Sequence, residues 1–206
     1  MISFCIITDG KEPVKTQRMI ESIDNLFISN GYEIVIAGVT EGFTADTYVN
    51  AKEYAESGNL GAMRNAACMA SIGDVLVVCD DDLVFHDDFK TGLDLYGEDY
   101  EVLSCRILNP DGTRFWDWKI HIDGMNALIP YNTSSELISL TGGLVIMKKE
   151  VFDIVQWDDQ RGFYELEDVD FSERLKKAGI SIKMNVFSTV THDAEYTQNG
   201  TGVRRI

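Results

Sequence analysis

The stretch that decides the fold runs Gly73-Asp74-Val75-Leu76-Val77-Val78-Cys79-Asp80-Asp81-Asp82. Its apolar run, Val75 to Cys79, is too short for a helix and rich in β-branched residues, so it predicts a buried strand. Three consecutive carboxylates follow at the point where the chain leaves that strand. Like charges this close cost free energy unless water, hydrogen-bond donors or a cation offset them.

The chemistry of the triplet indicates a metal as one possible partner. Hard divalent ions such as Mg²⁺ and Mn²⁺ take carboxylate oxygens and often complete their shell with phosphate oxygens. The alternative is a solvated turn after the strand, and the triplet alone favours neither interpretation. The rest of the chain therefore has to decide between them.

Strand and helix patterns alternate on the N-terminal side of this stretch. Ile2 to Thr8 predicts a strand, and Pro13 begins a helix that Asn30-Gly31 closes. Glu33 to Val39 predicts the next strand, which makes a βαβ unit and implies a parallel sheet. A second helix begins at Asn59-Leu60-Gly61 and leads to Gly73. The pattern predicts an α/β fold with the Asp triplet at the carboxyl edge of the sheet, where such sheets bind ligands.

The chain beyond the triplet changes character. A short helix to Tyr96 and a strand from Glu101 to Leu108 continue the alternation, but residues 109–137 show no sustained period. That region predicts a β-ribbon or a loop-rich lobe, whose Trp116 and Trp118 suit either the core or stacking on a sugar ring. A strand at 140–147 contains Gly142 and Gly143 at its start. Paired glycines there favour a close approach of the backbone to another group.

An acidic segment at 163–170 opens a further helix. Asp168 stands three residues before Phe171 and seven before Leu175, so it is predicted to point inward along their face. Glu167 lies about 100° away around the helix axis and is predicted to point off that face. Glu167 and Asp170 also suit ordinary acids of a first helical turn. A last strand spans 180–190, His192 follows it, and the tail at 196–206 is predicted to be loosely ordered.

Length and charge limit the function classes. The 206 residues suit one domain with a sizeable core. The net charge of −16 argues against nucleic acid or an anionic membrane surface as the main partner. The same charge would repel a phosphate-bearing ligand, and a bound metal would resolve that conflict locally.

The cysteines and the apolar runs indicate the compartment. Cys5, Cys68, Cys79 and Cys105 are scattered without a Cys-x-x-Cys pair and are predicted to be reduced core residues. The N-terminal run is predicted to be a strand rather than a signal peptide, and no apolar run reaches the length of a membrane span. These features predict a soluble, cytoplasmic protein.

The ordered set of motifs resembles the nucleotide-sugar-dependent glycosyltransferases of the GT-A fold, in particular the family 2-like group. The matching segments are Asn59-Leu60-Gly61 with Arg64-Asn65-Ala66, Asp80-Asp81-Asp82 as an Asp-x-Asp motif, Gly142-Gly143, Glu167-Asp168-Val169-Asp170 with Arg174-Leu175, and a late His192. The resemblance spans nearly the whole chain. The compact single domain and these motifs add a narrower resemblance to a chlorovirus-encoded glycosyltransferase domain that modifies capsid glycans.

The resemblance implies a single GT-A domain over 1–206, with a nucleotide-binding half at 1–108 and an acceptor half at 109–206. It implies transfer from a nucleotide sugar, with UDP favoured, to a glycan or glycoprotein acceptor, with Mn²⁺ or Mg²⁺ as cofactor. Asp82 would bind the metal, Asp80 the metal or the ribose, and His192 would be a further ligand. Asp168 would be the base for the acceptor hydroxyl. The donor side would comprise Thr8, Asp9, Arg64, Asp80, Asp81, Gly142 and Gly143.

Recognition of the base and two other functions remain open. The second strand ends in Ala37-Gly38-Val39-Thr40, without the acidic pair that many members carry there, which puts recognition of the base in question. A sugar-phosphate nucleotidyltransferase also uses an α/β sheet, carboxylates and a metal. Its Gly-rich basic phosphate loop has no counterpart in Asp9-Gly10-Lys11-Glu12. A non-catalytic nucleotide- or glycan-binding module with the same fold is the third possibility.

Overall fold

The computed structural model describes residues 1–28, 31–134, 136–161 and 166–193. Predictions for Asn30, for residues 163–165 and for the tail at 196–206 lie outside the described residues. The strands are β1 (Ile2–Thr8), β2 (Tyr32–Gly38), β3 (Thr47–Asn50), β4 (Val75–Asp80), β5 (Leu83–Phe85), β6 (Val102–Leu108), β7 (Lys119–Ile122), β8 (Met125–Leu128), β9 (Ile138–Ser139), β10 (Leu144–Lys148) and β11 (Ile182–His192). The helices are α1 (Pro13–Phe27), α2 (Lys52–Ser57), α3 (Leu60–Ala70), α4 (Asp88–Tyr96), α5 (Lys149–Ile154) and α6 (Glu167–Lys177).

The main sheet has eight strands in the order β3-β2-β1-β4-β10-β6-β11-β5. The first four are parallel to one another, β10 runs antiparallel to both of its neighbours, and β5 runs antiparallel to β11. The carboxyl ends of β1, β4, β6 and β11 consequently meet at one edge, where β10 also begins. Strands from both halves of the chain share this sheet.

Helices cover both faces of the sheet. Helices α1 and α4 pack on one face through an apolar cluster that includes Met19, Ile23 and Phe89. Helices α3, α5 and α6 pack on the other through a cluster that includes Met63, Phe152 and Phe171. The predicted α/β fold is confirmed. All four cysteines are buried and free, as predicted.

Several boundaries differ from the sequence predictions. The polar segment 40–58, which received no assignment, contains β3 and α2. Helix α5 had no assignment either, and the predicted strand at 140–147 begins only at Leu144. Strand β11 runs to His192, so this residue ends a strand instead of following one.

The region at 109–139 forms a small sheet in the order β8-β7-β9. Asp123 and Gly124 join β7 to β8 with φ values of 51° and 77°, as a two-residue hairpin turn requires. Trp118 is 3% exposed and its Nε1 donates to the Thr133 carbonyl at 3.2 Å, so it belongs to the core. Of the two alternatives, the β-ribbon is the one observed. Among the helices of the described residues, none has the length and apolar character to cross a membrane.

Candidate active site

The Asp triplet lies at the carboxyl edge of the sheet, between the ends of β1 and β11. Asp80 ends β4, and its backbone N–H donates to the Gly143 carbonyl at 3.2 Å, because β10 begins beside it. His192 ends β11 opposite Leu83, the residue that follows the triplet. The sheet therefore brings together three segments that are far apart in sequence.

Asp82 and His192 face each other at this edge. The Asp82 Oδ2 atom lies 3.5 Å from His192 Nε2, while Oδ1 is buried and receives no hydrogen bond from any described residue. Burial, followed by the charge of Asp80, raises the pKa of Asp82 to about 7. The charge of Lys15 and a backbone hydrogen bond of Asp82 itself oppose this rise only in part, so the ionised carboxylate is incompletely compensated for its removal from water.

His192 is held by packing. It is 5% exposed, and its ring stacks on Phe115 with the centroids 4.2 Å apart. Burial lowers the pKa of His192, which favours the neutral imidazole. Neutral imidazole is the form that binds metal ions.

Asp81 has different partners from Asp80 and Asp82, since its side chain contacts the end of β1 and the first turns of α1. Its Oδ2 atom accepts hydrogen bonds from the Thr8 hydroxyl and, at 3.3 Å, from Thr16 Oγ1. Burial raises the pKa of Asp81 to about 6, which the Thr8 hydrogen bond partly opposes. The nearby Asp9 is more exposed and pairs with Lys11 Nζ at 2.5 Å.

Arg64 connects the triplet to α6. Its side chain is 1% exposed, with Nη2 2.9 Å from Asp80 Oδ1 and Nη1 2.9 Å from Glu167 Oε1. The prediction that Glu167 points away from the interior is wrong, since this residue is 8% exposed and bound to a buried guanidinium. Helix α6 begins at Glu167, and other parts of the chain pack against more than one side of its first turn, so the helical period alone does not predict which residues are buried.

The two glycines before β10 have different neighbours. A Cβ on Gly142 would lie 2.7 Å from Arg64 Nη2 and 3.0 Å from Glu167 Oε1. A Cβ on Gly143 would come no closer than 3.9 Å to Asp80 Oδ2 and 4.0 Å to His192 Cδ2. The predicted close approach is confirmed for Gly142, and the group it accommodates is the Arg64–Glu167 pair.

Asp168 is bound on both carboxylate oxygens. Lys119 Nζ lies 2.9 Å from its Oδ2, and the Val169 backbone N–H donates to Oδ1 at 2.8 Å. The Asp168 side chain is 15% exposed and that of Lys119 is 4% exposed. Asp168 is mostly buried, as predicted. Its cationic partner was missed, because nothing in the aperiodic segment 109–137 indicates that a lysine there is covered.

The Asn59…Asn65 motif of α3 holds the segment before α6. Asn59 caps the helix by accepting from the Ala62 N–H at 3.0 Å. Asn65 exchanges two hydrogen bonds with the backbone of Trp157, at 2.9 and 3.1 Å. A Cβ on Gly61 would lie 2.8 Å from the Asp158 carbonyl. These contacts are structural and explain why the motif contains small and amide residues.

The end of β2 requires a glycine at position 38. Gly38 has φ +123°, and a Cβ there would lie 2.0 Å from the Thr8 carbonyl and 2.8 Å from Met63 Cε. Only glycine fits that position. The packing of β1 and α3 therefore excludes a side chain at position 38.

Asp80, Asp82 and His192 carry donor atoms of the kinds that divalent cations bind. Within the described ranges, no group of three or more His, Cys, Asp and Glu side chains is placed so that it could hold a metal ion. However, the Asp82 carboxylate has one buried oxygen that receives no hydrogen bond from a described residue, its other oxygen lies 3.5 Å from His192 Nε2, and the charge of Asp80 acts on it. Carboxylate oxygens with one imidazole suit Mn²⁺.

The chain superposes on solved glycosyltransferase structures at low sequence identity. The catalytic domain of Drosophila β1,4-galactosyltransferase 7 in complex with xylobiose matches with a TM-score of 0.59 and 15% identity, over 100% of this chain and 76% of that chain. A mutant of that enzyme with manganese, UDP-Gal and xylobiose matches with a TM-score of 0.57 and 15% identity, over 96% and 76%. The chain has a GT-A fold.

A third GT-A structure, GalNAc-T7 with UDP, GalNAc and Mn²⁺, matches with a TM-score of 0.67 and 14% identity. The match covers 98% of this chain but 45% of that one. No protein-family model and no curated protein matches the sequence. None of the comparisons supports the narrower resemblance to chlorovirus enzymes. A likeness at this identity shows the GT-A fold, and the activity depends on the site.

Proposed function

We propose that this chain is a metal-dependent glycosyltransferase that moves a sugar from a UDP-sugar donor to a hydroxyl of a glycan acceptor, with inversion at the anomeric carbon. The observation that carries this proposal is the buried Asp82 carboxylate, which faces His192 at the carboxyl edge of a GT-A sheet. The structural neighbours support the substrate class, because two of them contain Mn²⁺ together with UDP or UDP-Gal.

Asp80, Asp82 and His192 would hold Mn²⁺ or Mg²⁺. Such an ion, when bound, supplies Lewis-acid stabilisation to the departing diphosphate. It would also offset the repulsion that a chain with a net charge of −16 exerts on a phosphate ligand. His192 suits this role because burial lowers the pKa of its imidazole and so favours the neutral form.

Asp168 would act as the base. In the proposed step, the acceptor oxygen forms a bond to the anomeric carbon as the bond from that carbon to the diphosphate oxygen breaks. The acceptor proton passes to the Asp168 carboxylate, and the electron pair leaves with UDP. Because the attack and the departure take place on opposite sides of the sugar, one carboxylate suffices and the configuration inverts.

The donor side would be formed by Thr8, Asp9, Asp80, Asp81 and Gly143. Arg64 and Gly142 would contribute indirectly, since the 1% exposed guanidinium is bound to the carboxylates of Asp80 and Glu167 and Gly142 makes room for it. The nucleotide would then lie over residues 1–108, and the acceptor over residues 109–206, where Asp168 is found. This division is part of the proposal.

The test is turnover of a panel of UDP-sugars with Mn²⁺, using water or a mixture of oligosaccharides as acceptor and the same reactions in chelator as control. We expect metal-dependent release of UDP by the intact chain, and none by the Asp80→Asn/Asp82→Asn variant. NMR of the transferred sugar is expected to show an inverted anomeric configuration. Metal-dependent UDP binding without turnover of any donor would identify a binding module instead.

A further inference from the structure

We infer that Lys119 is a positioning residue for Asp168: it ties this carboxylate to the small sheet and fixes its orientation. The inference rests on the proposed function only in treating Asp168 as the base. Its evidence is the contact itself, in which Lys119 Nζ lies 2.9 Å from Asp168 Oδ2 across 49 residues of sequence.

The burial of the pair argues against a role in fold stability alone. Both side chains are removed from most water, Lys119 at 4% and Asp168 at 15% exposure. A buried ion pair stabilises a fold no more than well-packed apolar residues of the same volume, because both ions must be desolvated. Stability therefore does not explain why a lysine occupies the first position of β7.

The other acids in the first turn of α6 already have their own cations. Glu167 is bound to Arg64, while Asp170 contacts Arg161 at 3.1 Å and Arg174 at 2.7 Å. Asp168 is paired instead with Lys119. The pairing is specific to the one acid that the proposed mechanism uses.

The geometry indicates what the pair does to the carboxylate. Oδ2 is held by the ammonium and Oδ1 by the Val169 N–H, so the plane of the carboxylate is set from two directions. Each carboxylate oxygen has two lone pairs, so both atoms keep acceptor capacity for an incoming hydroxyl. Strand β7 pairs with both β8 and β9, and Lys119 is therefore anchored by a central strand.

The experiment compares Lys119→Met with Lys149→Met, which removes another largely covered lysine. Lys149 bonds to the Cys68 carbonyl and to Ser71, on the side of α3 remote from the triplet. The first readout is the Asp168 carboxyl ¹³C resonance of the intact chain at pH 7, assigned by its loss in Asp168→Asn. We expect Lys119→Met to move this resonance and Lys149→Met to leave it in place.

The second readout is transfer. Lys119→Met is expected to lower kcat about 10- to 100-fold while the affinity for Mn²⁺ and UDP stays within twofold. Lys119→Arg keeps the positive charge and is expected to recover part of the rate. Lys119→Gln, which keeps a donor without the charge, replaces the methionine variant if that variant does not fold.

The outcomes separate this inference from the proposed function. An unmoved Asp168 resonance in Lys119→Met overturns the inference whether or not transfer is found, and so does a wild-type kcat. A moved resonance in a chain that turns over no UDP-sugar supports the positioning by Lys119 and overturns the proposed function.

Discussion

Arg64 Nη1 lies 2.9 Å from Glu167 Oε1, although 103 residues separate the two along the chain. The same guanidinium binds Asp80 on its other side. The first turn of α6, where Asp168 stands, is thereby connected to the end of β4 by one buried cation. This relation sets the distance between the two acidic groups to which the proposed mechanism assigns different roles.

The glycines beside this pair give a matched test. Gly142→Ala is expected to lower the free energy of unfolding by about 1–3 kcal/mol, because its methyl group would displace Arg64 or Glu167. Gly143→Ala meets its neighbours at ordinary contact distance and is expected to change stability little. Urea unfolding of both variants checks this, and equal losses would mean that the Arg64 cluster tolerates displacement.

Binding of UDP is expected to require a divalent cation. The triplet and the net charge of −16 oppose a diphosphate unless a cation offsets them. Calorimetry of UDP with the intact chain, in Mn²⁺, in Mg²⁺ and in chelator, measures this directly. Equal affinity with and without chelator would contradict the proposed metal role of Asp80 and Asp82.

Asp82→Asn is expected to stabilise the metal-free chain. Burial raises the pKa of Asp82 from 3.8 to about 7 in the folded state, so ionisation weakens the fold as the pH rises through that interval. At pH 8 in chelator, we expect the variant to gain about 1–3 kcal/mol in the free energy of unfolding. The increase in Tm that Mn²⁺ gives the wild type should disappear in the variant. Retention of that increase would show that the cation binds elsewhere.

His192→Ala is expected to weaken Mn²⁺ binding at least tenfold and to reduce turnover. The control is His86→Ala, since the His86 ring contacts the Thr191 hydroxyl at 2.7 Å and not a carboxylate. Metal titrations of both variants, followed by Tm, separate a ligand from a packing residue. If the two variants bind Mn²⁺ as the wild type does, His192 serves to pack against Phe115.

Asp168→Asn is expected to lower transfer by about 10²–10⁴-fold while leaving metal and UDP binding intact. Glu167→Gln, the neighbouring change, should instead affect stability, because it leaves Arg64 with one carboxylate in place of two. Single-turnover rates and calorimetry on both variants distinguish these effects. Loss of UDP binding in Asp168→Asn would place this residue in the metal site.

Much of the fold could be predicted from the chain itself. The strand at 75–80 follows from its β-branched residues. The helix that begins at Pro13 follows from the fixed φ of proline, and the close approach at Gly142 follows from the missing Cβ. The position of the Asp triplet can also be predicted from the sequence, because a strand–helix alternation determines which ends of the strands meet at one edge.

Only the tertiary structure decided which groups meet there. The sequence predicted a strand at 140–147, but not that the strand would enter antiparallel between β4 and β6 and bring Gly142 against Arg64. A helical period distinguishes one face of α6 from the other, and it therefore placed Glu167 off the interior. The first turn is in fact covered by Arg64 on one side and by Lys119 on another. Local periodicity describes a helix about its own axis, whereas burial depends on every element packed around it, and those contacts are between residues distant in sequence.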